Sequence, residues 1–258
     1  RIATGWIEHE HADEPIRMLC DGGGDRRLVA GNTRDQRGAP DAMRVELAHP
    51  AVGELLGATV VGRHAALAAM AVVYPAAFAF QVVPFWSAMV AFSAFSWWAA
   101  WHPYLRTRLR PTRRLVAMGL VSGLALYALF SAGALVVQAT PLWPGVQSVV
   151  DLTRTTAPGM VAVLVIVLGT SPSEEVLWRG AVFARLTRRY GAGWRPVVLD
   201  AVVYAAFVGL SGSLVLPMAA LVCGTVWARQ RQVTGSLVPS LVSHALWSLL
   251  MFLYVPGL

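Results

Sequence analysis

From residue 64 to its end the chain is a succession of apolar segments separated by short links, and several of the segments approach the length of a bilayer-crossing helix. A helix needs about 20 mainly apolar residues to cross the hydrocarbon. Candidate segments lie at about 65–83, 85–101, 115–138, 158–178, 196–211, 214–228 and 236–256, read by hydropathy and length. In lipid every backbone polar group must be satisfied within its own segment, so such runs fold as helices. The expected fold is therefore all-α: a polytopic transmembrane helix bundle of about seven spans. Pro84 divides the first two, and Leu210-Ser211-Gly212-Ser213 joins the short fifth and sixth. Only 14% of residues are charged, 56% are hydrophobic, and mean hydropathy is +0.56. Soluble domains carry about a quarter charged residues.

All 21 basic residues are Arg, the net charge is +7, and Arg positions test the span count independently. Arg63 precedes the first span, and Arg106, Arg108, Arg110, Arg113 and Arg114 lie between the second and third. Arg185, Arg188, Arg189 and Arg195 lie between the fourth and fifth, and Arg229 and Arg231 between the sixth and seventh. The alternate links carry only Arg154, with Asp151. The positive-inside rule then places the N-terminus and the Arg clusters in the cytoplasm and the C-terminus outside. Membrane topology explains this charge better than nucleic-acid binding does. The exclusive use of Arg suggests a GC-rich bacterial genome, and the expected location is integral to a bacterial plasma membrane.

Residues 1–63 read as a separate polar tail, and 64–258 as the transmembrane domain. The stretch LCDGGGDRRLVAGNTRDQRGAPDA has no sustained apolar period, and about the first 45 residues are expected to be poorly ordered. The chain begins at Arg1 and Met43 heads a more protein-like segment, which suggests that part of the tail is an extended reading frame or a fragment; no secretory apolar region is present there. His9 and His11 alternate with Glu8 and Glu10, a pattern read as a solvated charged tail rather than a metal tract. Cys20 and Cys223 are far apart and give neither a disulfide framework nor a thiolate metal site.

Charge inside the apolar spans is scarce, and it concentrates in VAVLVIVLGTSPSEEVLWRG, residues 161–180. Two adjacent acids, Glu174 and Glu175, stand there with Arg179 one turn beyond, and Asp200 is the one other acid in a span. Ionisable groups at membrane depth are costly and mark function. Glu175 and Arg179 stand four apart on one helical face and can pair, which leaves Glu174 the less committed carboxylate.

Depth ties these acids to other helices. His244 lies nine residues after Gly235, about 14 Å along its helix. Glu174 lies eleven residues before Arg185, about 16 Å on an unbroken helix, and Tyr204 nine after Arg195, about 14 Å. A carboxylate, an imidazole and a phenol can therefore share one level, within reach of the cytoplasmic side.

The pattern Glu174-Glu175-Val-Leu-Trp-Arg179-Gly180, an Arg-rich link, an apolar span and then His244-Ala-Leu-Trp-Ser248 resembles the CPBP intramembrane proteases, the CAAX-processing and bacteriocin-processing or Abi family. The resemblance covers about residues 110–256. It implies EExxxR, FxxxH and HxxxN or HxxxD motifs on separate membrane helices, and an endopeptidase whose glutamate activates water. Two motifs depart from that pattern. The second falls on Tyr204 and Val208, so its histidine is missing, and the register Phe207 with Ser211 does not restore it. In the third, Ser248 stands where Asn or Asp is usual; its hydroxyl offers one donor on a shorter side chain.

These departures favour a mechanism without a cofactor. A zinc hydrolase has about three protein ligands and an open position, and Val208 cannot ligate, although zinc would be the candidate metal. The roles implied are Glu174 as base, Glu175 with Arg179 as a structural pair, and His244 with Ser248 on the oxyanion side, with Tyr204 as a binding residue. Asp200 reads as an interfacial acid paired with Arg195 or Arg188. Trp97, Trp98 and Trp101 read as an interfacial belt.

Three functions compete: an endopeptidase cutting near the cytoplasmic face, an impaired family member serving as a membrane peptide- or partner-binding scaffold, and a transporter with a carboxylate relay. The transporter fits worst, because no paired broken helices recur in two halves. The expected partners are a peptide or membrane-protein substrate and the lipid bilayer, with no nucleic acid.

Overall fold

The computed structural model describes residues 64–65, 67–100, 108–156 and 159–257, all within the compact unit Arg34–Leu258. The polar tail, its His9–His11 tract, Cys20 and the 63/64 boundary lie outside the described residues. The helices are α1 (Leu67–Ala79), α2 (Phe85–Ala100), α3 (Arg113–Val137), α4 (Trp143–Thr155), α5 (Gly159–Tyr190), α6 (Trp194–Gly209), α7 (Val215–Thr234) and α8 (Val238–Leu253). No strand occurs among the described residues. The seven apolar segments coincide with α1 to α3 and α5 to α8. By length and composition α3 and α5 can cross a membrane, whereas α1 and α8 are apolar but shorter.

Local chemistry sets the boundaries. Thr112 caps α3, its Oγ1 accepting from the Leu115 amide at 3.3 Å. Proline occupies the first turn of α4 and of α8, where its missing N–H costs nothing. Gly191 (φ 81°) stops α5 and Gly235 (φ 65°) stops α7, in conformations that disfavour a Cβ.

Three expectations need correction. The fourth span was expected to end near 178, but α5 runs to Tyr190, because no Pro or φ-positive Gly lies between Trp178 and Gly191. Likewise α7 runs to Thr234, not 228. Arg185, Arg188, Arg189, Arg229 and Arg231 therefore ride on helices rather than in links. The link after the third span holds α4, a two-faced helix too polar to register as a span: it buries Val150 and exposes Ser148 and Asp151.

The surface is apolar where a soluble protein would be polar. Val121 on α3, Leu168 on α5 and Leu214 before α7 are each 67–71% exposed. Apolar exposure on this scale suits a lipid environment. Inside, α3 and α8 run side by side in the same direction. A Cβ at Gly119 would lie 2.7 Å from Val242 Cβ, and one at Gly123 would lie 3.1 Å from the Ser243 carbonyl oxygen. This small-xxx-small contact, typical of membrane helices, brings the two backbones close.

Two sets of contacts define the ends of the bundle. At one end, the Arg108 carbonyl oxygen accepts from Leu237 N and Ser236 Oγ, and Gln232 Nε2 donates to the carbonyls of Ala192 and Gly193. At the other, Gln138 Nε2 donates to the Pro256 carbonyl, Trp86 Nε1 to that of Thr153, and Gly212 packs on Ala79. The first end carries the Arg clusters.

Candidate active site

Helix α5 enters the bundle as it approaches the acids. Its first half exposes Val161, Leu164 and Leu168 on one side, whereas Ser171 to Ala181 are buried without interruption. π-helical turns at Val165–Thr170 and Val176–Val182 bracket the regular turn Ser171–Glu175. Pro172 has no N–H to donate to the preceding turn, and a widened turn absorbs that defect. Such bulges are frequent at functional sites.

Adjacent residues on a helix point about 100° apart, and the two acids accordingly meet different neighbours. The Glu174 carboxylate is held from two helices. Tyr74 OH on α1 donates to Oε1 at 2.8 Å, and Tyr204 OH on α6 donates to Oε2 at 2.7 Å. Glu175 Oε1 instead accepts from Arg179 Nη1 at 3.1 Å and lies 3.0 Å from His244 Nδ1 on α8. His244 therefore meets the acid read as structural, not the one read as the base.

Arg179 is fully buried and sits in a cage. Its guanidinium stacks over the Tyr204 and Trp227 rings, 4.8 and 5.2 Å from their centroids. Its Nε lies 3.5 Å from Asp200 Oδ2. The expected pairing of Asp200 with Arg195 or Arg188 is thus corrected: Asp200 faces inward, is fully buried, and shares Arg179 with Glu175. Gly224 gives the cage its room, since a Cβ there would lie 3.3 Å from Arg179 Nη2. Trp227 links cage and site. It stacks on His244 at 3.9 Å with rings 17° apart, and its Nε1 donates to Ser243 Oγ at 3.1 Å.

Glu174, Tyr74, Tyr204, His244 and Ser248 all line one cavity of about 280 Å³. Val208, at the position of the absent second-motif histidine, lines it too. Apart from Glu174 and His244, no acidic or basic side chain lines it among the described residues. The shared depth of Glu174, Tyr204 and His244 read from the sequence is therefore met. Of the Trp belt, Trp98 is 74% exposed and Trp97 packs partly against the core, while Trp101 lies outside the described residues.

Zinc, the candidate metal, fits this donor set poorly. Among the described residues no three His, Cys, Asp or Glu side chains are grouped to hold an ion.

The sequence reading missed Tyr74, Trp227 and Gly224. Tyr74 carried a weak signal, a hydroxyl inside an apolar span. Trp227 and Gly224 carried none, because a tryptophan or glycine in an apolar helix is ordinary.

Residues 156–250 match the family described as Type II CAAX prenyl endopeptidase Rce1-like. The matched stretch runs from just before α5 into α8 and so contains both acids, Arg179, Tyr204, His244 and Ser248; Tyr74 lies outside it. Comparison with curated proteins and with solved structures gave no match. Residues 156–250 are thus similar to the Rce1-like family, and this match, on the segment that builds the site, supports a CPBP-family membrane protease.

Proposed function

We propose that the chain is an intramembrane endopeptidase in which water activated by Glu174 attacks a peptide carbonyl of a peptide or membrane-protein substrate. The observation that carries this reading is an apolar cavity lined by both Glu174 and His244. Each Glu174 oxygen keeps a lone pair beyond its tyrosine bond, enough to hold a water. The carboxylate takes a proton as the water oxygen bonds to the carbonyl carbon. The oxyanion is met by His244 and by Ser248. Glu175 acts as the carboxylate of a triad does, orienting the imidazole from 3.0 Å. The proton on Glu174 then passes to the leaving nitrogen, the C–N bond breaks, and a carboxylate and an amine depart. No step uses a metal.

The reading sets the bundle in a bacterial plasma membrane as seven spans, with the Arg-rich end in the cytoplasm. Reporter fusions after Arg110 and after Leu258 are expected to report opposite sides; the same side for both removes this topology.

The test of function is peptide-library turnover in proteoliposomes. Glu174→Gln is expected to abolish turnover, a loss of about 10²–10⁴-fold for an acid-base group. Val208→His, which restores an imidazole to the cavity wall, is expected to raise it. If wild type and Val208→His are both inert while folded and binding peptide, the scaffold reading replaces this one.

A further inference from the structure

Four side chains from four helices lie one against the next at the level of the acids. Tyr204 of α6 packs on the Arg179 guanidinium of α5, Arg179 on the Trp227 ring of α7, and Trp227 on the His244 imidazole of α8. In the last contact the ring centroids are 3.9 Å apart and the planes 17° from parallel, so the indole lies flat on the imidazole.

His244 is otherwise held at one atom. Its Nδ1 lies 3.0 Å from Glu175 Oε1, which fixes where that nitrogen sits but lets the ring plane turn about it. The outer torsion of a histidine has no sharp intrinsic preference, so packing must set the plane. Trp247 meets the imidazole at a tilt, with centroids 6.5 Å apart and planes at 52°, whereas Trp227 covers its face.

The indole is itself immobile. Trp227 is 1% exposed, and its Nε1 donates to Ser243 Oγ at 3.1 Å, one residue before His244. That bond registers α7 against the turn of α8 that carries the imidazole. Arg179 adds a cation over the indole, and Gly224, one turn earlier on α7, leaves the cation its room. Filling space requires none of this, because an aliphatic side chain packs a core without needing a hydroxyl for an indole N–H.

We infer that Trp227 is a positioning residue for His244. It holds the imidazole plane so that one edge meets Glu175 while the ring stays on the wall of the cavity that Glu174 also lines. The consequence for turnover rests on the protease reading above; the positioning itself does not. With Val208 in the second motif, His244 is the one histidine lining the cavity among the described residues, so its aim matters. A misplacement of about 1 Å can cost about 10²-fold in rate.

The test uses the full-length protein in micelles with isotope-labelled histidine side chains, six in all, and His244→Gln to identify the His244 signal. A stacked indole shields imidazole ring protons, so those of His244 are expected upfield of the other histidines. Trp227→Leu is expected to remove that displacement and to lower kcat by up to about 10²-fold with KM unchanged. Trp227→Phe keeps a flat ring and should preserve most of both. Phe183→Leu trims a fully buried ring packed with Val197 and Ala228, outside the cavity lining. It should lower the melting temperature and leave the His244 signal and kcat in place. Ser243→Ala removes the acceptor of the indole N–H with little change in volume and should shrink the displacement. An unmoved signal in Trp227→Leu, or in Ser243→Ala where Trp227→Leu does not fold, overturns the inference, as does equal movement in Phe183→Leu. A moved signal with unchanged kcat overturns it too, since turnover would not depend on the ring plane. Wild type inert on every peptide, with the His244 signal responding as expected, sinks the protease reading and leaves the positioning of His244 standing.

Discussion

The two halves of the bundle handle buried polarity in opposite ways, and Glu174 and Glu175 stand at the boundary. Toward the Arg-rich end the interior is closed and charged, with Glu175, Arg179 and Asp200 fully buried against one another and two aromatic rings. Toward the Arg-poor end it is hollow and apolar, and the Glu174 carboxylate that faces it is held by two phenols. Adjacent acids thus have separate work: one is locked into an ion cluster that fixes the fold, and the other faces the space a substrate would fill. Buried charges persist only when paired, so the closed half acts as the platform for the open one.

The largest effect is expected where that platform is broken. Arg179→Met leaves two buried acids without their cation, and removing one partner of a buried pair typically costs about 3–5 kcal/mol. Thermal unfolding in detergent micelles should register the loss. Adding Asp200→Asn should recover part of it, because one of the two stranded charges is then gone. No recovery would mean that Asp200 is not coupled to Arg179.

The next effect belongs to the open half and should appear in catalysis rather than stability. Tyr74→Phe and Tyr204→Phe each remove one donor from Glu174, and a hydrogen bond to a charged group is worth about 1.5–3 kcal/mol. Both variants are expected to lower kcat with little change in KM, since the carboxylate loses its orientation while the apolar walls remain. Tyr204→Phe keeps the ring beneath Arg179, so stability should change less than in Arg179→Met. A fall in stability equal to that of Arg179→Met would merge the two halves into one network.

Each half was legible in part in the sequence. The Glu175–Arg179 pair followed from four-residue spacing, and the common level of Glu174, Tyr204 and His244 from counting turns. Asp200 was assigned the wrong Arg because counting gives height along a helix but not direction around the bundle axis. Tyr74 reaches Glu174 across a separation of 100 residues, which no local period reveals. Helix α4 escaped for a different reason. It is two-faced and short, and hydropathy detects only segments apolar all round. The hollow half is lined by ordinary Phe, Trp, Val and Met, so nothing in composition marks it as a cavity.

The smallest effect sharpens the contrast through glycines of one helix. Near the closed end Gly119 meets α8 so closely that an added Cβ would lie 2.7 Å from Val242 Cβ and 2.8 Å from the Pro239 carbonyl oxygen. Backbone and branched side chain cannot both yield, so Gly119→Ala should push α3 from α8 at about 1–3 kcal/mol, the usual range for overpacking. Fourteen residues further along the same helix, Gly133 has nothing within 4 Å of its Cβ position. Gly133→Ala should therefore be neutral or stabilising by up to about 1 kcal/mol, since alanine favours the helix and meets no neighbour. Unfolding both variants side by side in micelles tests whether close packing is confined to the closed end. Equal destabilisation would show that α3 is gripped along its whole length, and the hollow half would then be narrower than its lining implies.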